Sequence, residues 1–319
     1  MPRFKIHHIT RYLYDGPVRD SANQIMLYPV KDELQEVVQH NLTISGNPSV
    51  AVFVDYFGNE TGTFTHPHPH RELVIDSKIV VITKPGLPPE TGMSPEEQWN
   101  QTERLKSQFQ FIDFLKPEPF AAIDALKEVI REEQKAEKGP LETAIDFSGY
   151  INSNFKYQKG ITTVESTPDE IWQLKSGVCQ DFAHILLFML RLINVPARYV
   201  SGYICPNKNG MRGEGATHAW AEAYIPGQGW VGLDPTNNCV VGESHVRLAV
   251  GKNFSDCSPV KGTYRGIFDH SLEVTVSVQY EDGHTVRDLN EVIEPPTDSA
   301  QTFTRNSYRK FQEMQQQQQ

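Results

Sequence analysis

Three residues in chain order, Cys179, His218 and Asp234, are the parts of a nucleophilic acyl-transfer site. In such a site a thiolate attacks a carbonyl carbon, an imidazole takes and returns the proton, and a carboxylate holds the imidazole tautomer and steadies its charge. Each also has an ordinary explanation. A free cysteine is commonly a small buried core residue, a strand histidine is commonly a hydrogen-bonded core residue, and Asp234 before Pro235 reads equally as a turn. The elements that carry them must decide.

Cys179 lies in Ser176–Val200, SGVCQDFAHILLFMLRLINVPARYV. The run from Phe182 to Ile193 is apolar on nearly every side, the mark of a buried central helix, and Pro196 ends it by disfavouring the helical conformation at Val195. Cys179 therefore falls at or just before the first turn, where unpaired backbone N–H groups and the positive end of the dipole favour a thiolate. The same N–H groups could serve an oxyanion. Asp181 reads as a cap or an acceptor of backbone N–H groups, and His184, one turn on, as a hydrogen-bonded core residue.

Downstream the period changes. Ala197–Ile204 reads as a strand, Asn207–Gly215 as a glycine-rich loop, and Thr217–Ile225 with Trp230–Asp234 as a β-hairpin. Along its first strand His218, Trp220 and Glu222 point one way and Ala219, Ala221 and Ala223 the other, a small-residue face on which the central helix could pack closely. Register is decisive. If Ile225 faces Gly229, Trp220 faces Asp234, His218 becomes its diagonal neighbour, and the carboxylate reaches the imidazole. A loop one residue longer turns Asp234 to the opposite face; the first register is expected.

Upstream, helices are expected at Pro117–Lys138, Leu141–Phe155 and Pro168–Lys175, the last with a Thr167/Glu170 capping box, Pro168 in the first position and Gly177 closing it. The first part of the chain alternates through Phe4–Tyr14, Gln24–Pro29, Glu36–Ser45, Ser49–Tyr56, Glu60–Thr65 and Glu72–Thr83, with turn signals such as Asp-Gly between runs, as a β-sandwich would. Pro85–Pro95 reads as a linker, Ser271–Tyr280 as a further strand, and the polar, glutamine-rich end as a tail of little fixed structure.

Composition bounds the function. The 319 residues are 38% hydrophobic and 22% charged, ordinary for a soluble protein of two domains. A net charge of −10, with no dense basic patch, argues against a nucleic-acid or anionic-membrane partner. There is no run of ~18 apolar residues and no apolar stretch near the N-terminus of signal type, so a cytoplasmic location is expected. Cys179, Cys205, Cys239 and Cys257 contain no C-x-x-C pair, which is unlike a zinc site; they are expected as reduced thiols, the last three in packing or surface roles. His66, His68 and His70 put three imidazoles on one side of an extended segment, but the intervening prolines read more simply as an exposed edge. Neither a metal nor a cofactor is expected.

The series Gly177-Val-Cys-Gln-Asp-Phe-Ala-His184, Pro196-Ala-Arg-Tyr-Val-Ser-Gly-Tyr203, His218-Ala-Trp220, Gly229-Trp230 and Asp234-Pro-Thr236 resembles the bacterial transglutaminase-like superfamily. Asp55-Tyr-Phe-Gly-Asn59 resembles its N-terminal region, and Gly251–Gly262 its closing segment. The resemblance covers roughly residues 1–285 and implies an α+β fold, an N-terminal antiparallel β-sandwich domain (1–88) and a papain-like core with a central helix on an antiparallel sheet (89–290); the polar composition of 291–319 reads as a flexible tail. It implies that Cys179, His218 and Asp234 are catalytic. It also nominates Gln173, six residues before the cysteine, as an oxyanion donor, and Trp220 is a candidate to wall the cleft if it is not core. The expected substrate is a peptide or protein amide. Hydrolysis is preferred because no D-x-D-x-D-G calcium loop is present; transfer to an amine and a non-catalytic binding role stay open.

Overall fold

The computed structural model describes residues 1–86, 91–162, 166–205, 211–212 and 216–281. The tail at 291–319, most of the Asn207–Gly215 loop and residues 87–90 of the linker lie outside the described residues. The chain opens with five strands: β1 (Arg3–Ile25), β2 (Gln35–Ile44), β3 (Ala51–Val54), β4 (Glu60–His66) and β5 (His70–Thr83). The Asp15-Gly16 signal is not a turn; β1 continues through it with a register shift between Leu13 and Val18. Glycine at 16 leaves room for the ring of Phe268, which a Cβ there would overlap unless the ring shifted.

Helices follow: α1 (Pro95–Leu105), α2 (Ile112–Leu115), α3 (Ile123–Glu133) and α4 (Pro140–Asn154). The helix expected over Pro117–Lys138 is therefore shorter. Then come β6 (Lys156–Tyr157), α5 (Pro168–Leu174), β7 (Ser176–Gly177) and the central helix α6 (Cys179–Leu192). The Thr167/Glu170 capping box and Pro168 start α5 as expected, but Lys175, not Gly177, closes it in the left-handed region at φ 46°. Gly177 is instead extended in β7, packed so closely that a Cβ would strike Asp181.

The second sheet is antiparallel in the order β11-β10-β9-β8-β12. Its strands are β8 (Ala197–Ile204), β9 (Thr217–Ile225), β10 (Gly229–Asp234), β11 (Cys239–Val240) and β12 (His245–Gly251). Gly229 pairs with Ile225 and Leu233 with Ala221, the register the site requires. Ala219, Ala221 and Ala223 are buried in one apolar cluster with Ile185, Leu186 and Met189 of α6, so the small-residue face admits the helix. Burying that many aliphatic side chains, each worth roughly 1.5–3 kcal/mol, makes α6 the centre of the core.

After α7 (Phe254–Cys257) the chain returns to the first sheet through β13 (Val260–Arg265) and β14 (His270–Tyr280), both antiparallel to β1. The first half of β1 pairs with β5 and β14 and its second half with β4 and β13. The N-terminal antiparallel layers thus share one long strand and form a half-barrel. Its core includes Tyr203 of β8, the following Cys205, and Val246 and Leu248 of β12, so the second sheet lies between α6 and the half-barrel. The Asp55–Asn59 turn completes the seam: Asn59 donates to the Val250 carbonyl at 2.7 Å and accepts the Val250 N–H at 2.8 Å. The architecture is α+β, a helix-on-sheet core behind an antiparallel half-barrel.

Candidate active site

Cys179 is the first residue of α6 and is half-buried. Asp181, two residues on, accepts the Val178 N–H at 2.8 Å and the Thr162 hydroxyl at 2.7 Å, tying the helix start to the preceding loop. Asp181 is buried, and burial raises its proton affinity against the pull of those donors. The Asp181 N–H is taken by the Val178 carbonyl at 3.0 Å, which leaves the N–H groups of Cys179 and Gln180, at the first two helical positions, as the ones that can meet an anion.

His218, near the start of β9, and Asp234, the last residue of β10, are both buried and meet directly, with Nε2 2.8 Å from Oδ2. The buried Nδ1 of His218 has no hydrogen-bond partner among the described residues, and the Cys179 sulfur is near enough to favour the protonated ring. Burial alone would lower the proton affinity of His218. The Asp234 carboxylate and then the Cys179 sulfur outweigh it and raise the histidine to about 10. For Asp234, burial pulls upward, yet His218 and His245 hold it far below the usual carboxylate range. The hairpin register thus unites His218 with Asp234, and α6 adds Cys179.

Two groups on Asp234 were not apparent from the sequence. Asn237 donates from Nδ2 to Oδ2 at 2.7 Å, while the Thr236 and Asn237 N–H groups hold Oδ1 at 2.9 and 3.3 Å. This is the asparagine-type turn that an aspartate before Pro-Thr-Asn favours, so spacing could have found it. His245, on β12, contacts Oδ2 through Nε2 at 3.2 Å. No local signal reveals His245, because β12 reaches the site only by pairing with β8.

Cys239 pairs with Asp234 across β10 and β11, and the donor atoms of Asp234, Cys239 and His245 lie within 4.8 Å of one another. These atom types suit a soft cation, but both oxygens of Asp234 already accept hydrogen bonds. As a competing nucleophile Cys239 is poorly set: burial and then Asp234 push its thiol up to about 12. Cys205 and Cys257 are fully buried.

The remaining candidates fall elsewhere. Gln173 is exposed on α5. Trp220 is fully buried with Val200 and Val250, so it does not wall an open cleft; it stacks on His218 with centroids 6.2 Å apart. His184 accepts the Phe254 N–H at 3.2 Å, and burial lowers it to about 4, as befits a core histidine. The rings of His66 and His70 lie 4.2 Å apart between β4 and β5, with His70 Nδ1 against the His68 carbonyl and Nε2 against Ser21. Among the described residues no helix is long and apolar enough to cross a membrane.

Comparison with known proteins agrees with this architecture. Residues 126–235 match the transglutaminase-like superfamily, and residues 4–82 match the bacterial transglutaminase-like N-terminal region. An uncharacterized protein of Mycobacterium leprae is 30% identical over 282 residues, 87% of this chain and 99% of its own. One of Mycobacterium tuberculosis is 31% identical over 293 residues, 86% of this chain and 92% of its own. The crystal structure of a candidate cysteine protease from Cytophaga hutchinsonii superposes with a TM-score of 0.70 at 20% identity, over 91% of this chain and 95% of that one, and shares the fold. The family and the clustered thiol, imidazole and carboxylate groups support a thiol-dependent enzyme acting on amide bonds. The chain belongs to the transglutaminase-like superfamily, its papain-like core joined to the bacterial transglutaminase-like N-terminal region.

Proposed function

We propose that Cys179 is the nucleophile, His218 the general base and acid, and Asp234 the residue that orients and charges His218, in an enzyme that cleaves peptide or protein amides. The observation that carries this is the state of His218: it is buried, its Nε2 is on Asp234, its Nδ1 is unpartnered among the described residues, and Cys179 acts on the ring electrostatically. The Cys179 sulfur attacks the amide carbon, first-turn N–H groups of α6 receive the oxyanion, and the C–N bond breaks as His218 protonates the departing amine. Water, losing a proton to His218, then attacks the thioester; the C–S bond breaks and a carboxylic acid leaves.

Water is the preferred acceptor, since no calcium-type loop is present in the sequence. An amine acceptor is the second reading: a protein-glutamine gamma-glutamyltransferase of Pseudomonas aeruginosa is 35% identical over 80 residues, 24% of this chain and 12% of its own. A cytoplasmic site of action belongs to the same proposal. The test is the iodoacetamide rate of each cysteine against pH, read by peptide mass spectrometry, in the native chain and in His218→Ala. Cys179 alone should react fast at neutral pH and lose that advantage without His218. Equal rates at all four cysteines would overturn the assignment. Peptide amides offered with and without an alkylamine then separate hydrolysis from transfer.

A further inference from the structure

Asp234 Oδ2 is shared by His218 Nε2 at 2.8 Å, Asn237 Nδ2 at 2.7 Å and His245 Nε2 at 3.2 Å. His245 is buried, and its other nitrogen, Nδ1, accepts the Gly242 N–H at 3.5 Å. An Nδ1 that accepts places the ring proton on Nε2, so His245 donates to the carboxylate. Trp220 lies against both imidazoles, stacked on His218 and edge-on to His245 with centroids 5.2 Å apart, which fixes the two rings relative to each other.

The turn that presents His245 is clamped from the half-barrel on either side of it. Thr83 donates its hydroxyl to the Glu243 carbonyl at 2.6 Å. The buried Gln35 side chain donates to the Arg247 carbonyl at 2.9 Å and accepts the Arg247 N–H at 2.8 Å. Asp32 pairs with the Arg247 guanidinium. These bonds join residues more than 150 positions apart and leave His245 little freedom to move away from Asp234.

We propose that His245 is a positioning residue of this site: its Nε2–H shares the Asp234 carboxylate with His218 and so weakens the hold of Asp234 on the His218 proton, and the N-terminal half-barrel keeps it in place. This rests on the triad reading above. Each donor on the carboxylate loosens its hold on the imidazolium proton, easing delivery to a departing amine; beside Asn237, His245 is a further donor on the same oxygen and disperses the charge more. The charged and titratable groups facing this pair are Cys179 on α6, His218 on β9, Cys239 on β11, Arg247 on β12 and Lys84 from the half-barrel side. Tyr157 feels the charges of Cys179, Asp181, Arg212 and Asp234.

The experiment is a histidine-labelled ¹H–¹⁵N titration of His218 in the full chain, alone and as His245→Leu, His245→Gln and Gln35→Leu, with cysteine alkylation rates measured alongside. If His245 disperses the carboxylate charge, His245→Leu moves the His218 inflection upward by about half a unit to one unit. His245→Gln, which restores an N–H donor, returns most of the displacement, and Gln35→Leu gives a smaller upward one. A downward displacement toward 6.5 in His245→Leu, or none, overturns the proposal, because loss of mere packing would release His218 from Asp234. An unmoved inflection in Gln35→Leu overturns the part assigned to the half-barrel. Failure of the triad reading looks different: in the unsubstituted chain Cys179 would alkylate like the other thiols, whatever residue 245 is.

Discussion

His8 in the half-barrel and His218 in the core are both strand histidines with almost no exposure, 1% and 3%, yet they hold protons in opposite ways. Burial, aided by neighbouring His7, pushes His8 down to about 4, and its contacts are hydroxyls: Tyr203 Oη at 2.8 Å and Thr10 Oγ1 at 3.2 Å. Burial acts in the same direction on His218, but Asp234 and Cys179 reverse the outcome and take it to about 10. His184 belongs to the core and behaves like His8. Neither burial nor the choice of domain makes a histidine chemically useful. A carboxylate on one nitrogen and a thiol close to the ring do.

The sharpest way to break the comparison is to remove the sulfur. Cys179→Ala should lower peptide-amide turnover by about 10³-fold or more, about 4 kcal/mol of transition-state stabilisation, whereas His8→Gln should leave turnover within about threefold. Similar losses in both would mean that the site has been placed in the wrong half of the molecule.

Backbone crowding gives the next effect. Gly202 on β8 lies opposite His218, and a Cβ there would overlap the Val246 carbonyl oxygen and come within 2.6 Å of Trp220. Gly202→Ala should therefore cost about 3 kcal/mol or more in urea unfolding and disturb the ring on which His218 stacks. Gly16→Ala in the half-barrel meets only the ring of Phe268, which can yield, and should cost about half as much. Equal midpoints for the two variants would show that the backbone behind the site is no more constrained than the half-barrel.

The two histidines also predict opposite pH limits of stability. His8 binds its proton more weakly folded than unfolded, so its contribution is present above about 6.5 and is lost as pH falls through about 4, to a limit of about 3 kcal/mol. His218 binds its proton more tightly folded, so its contribution is complete below about 6.5 and is lost as pH rises through about 10. Thermal midpoints against pH should fall at both ends. His8→Gln should flatten the acid side, and Asp234→Asn the alkaline side. An exchange of these effects would contradict the assignment of partners.

What could be read from the sequence followed the range of the interactions. The central helix, the α5 capping box and the Ile225–Gly229 register are set by residues close in the chain, and the register was enough to bring His218 to Asp234. The Asp15-Gly16 pair misled because glycine has two uses; here it admits the ring of Phe268, some 250 residues away, rather than making a turn. Gln173 has the spacing of an oxyanion donor, but α5 leaves it exposed. His245 was invisible for the same reason as the return of β13 and β14 to β1: pairing between distant strands leaves no mark on local periodicity.

The smallest effect probes how tightly α6 is held against the sheet. Ala221 on β9 is fully buried, pairs with Tyr199 and Leu233, and belongs to the cluster containing Leu186 and Met189. Two added methyl groups have no space there except by moving the helix, so Ala221→Val should cost about 1–2 kcal/mol. Val274→Ala on β14, at a half-exposed position, should stay within about 0.5 kcal/mol. The same displacement of α6 would carry Cys179 with it, while Asp234 and His218 keep their own hydrogen bond. Ala221→Val should thus slow alkylation of Cys179 severalfold without changing the His218–Asp234 contact, and an unchanged rate would mean that the sulfur is positioned by the loop before α6 rather than by the helix.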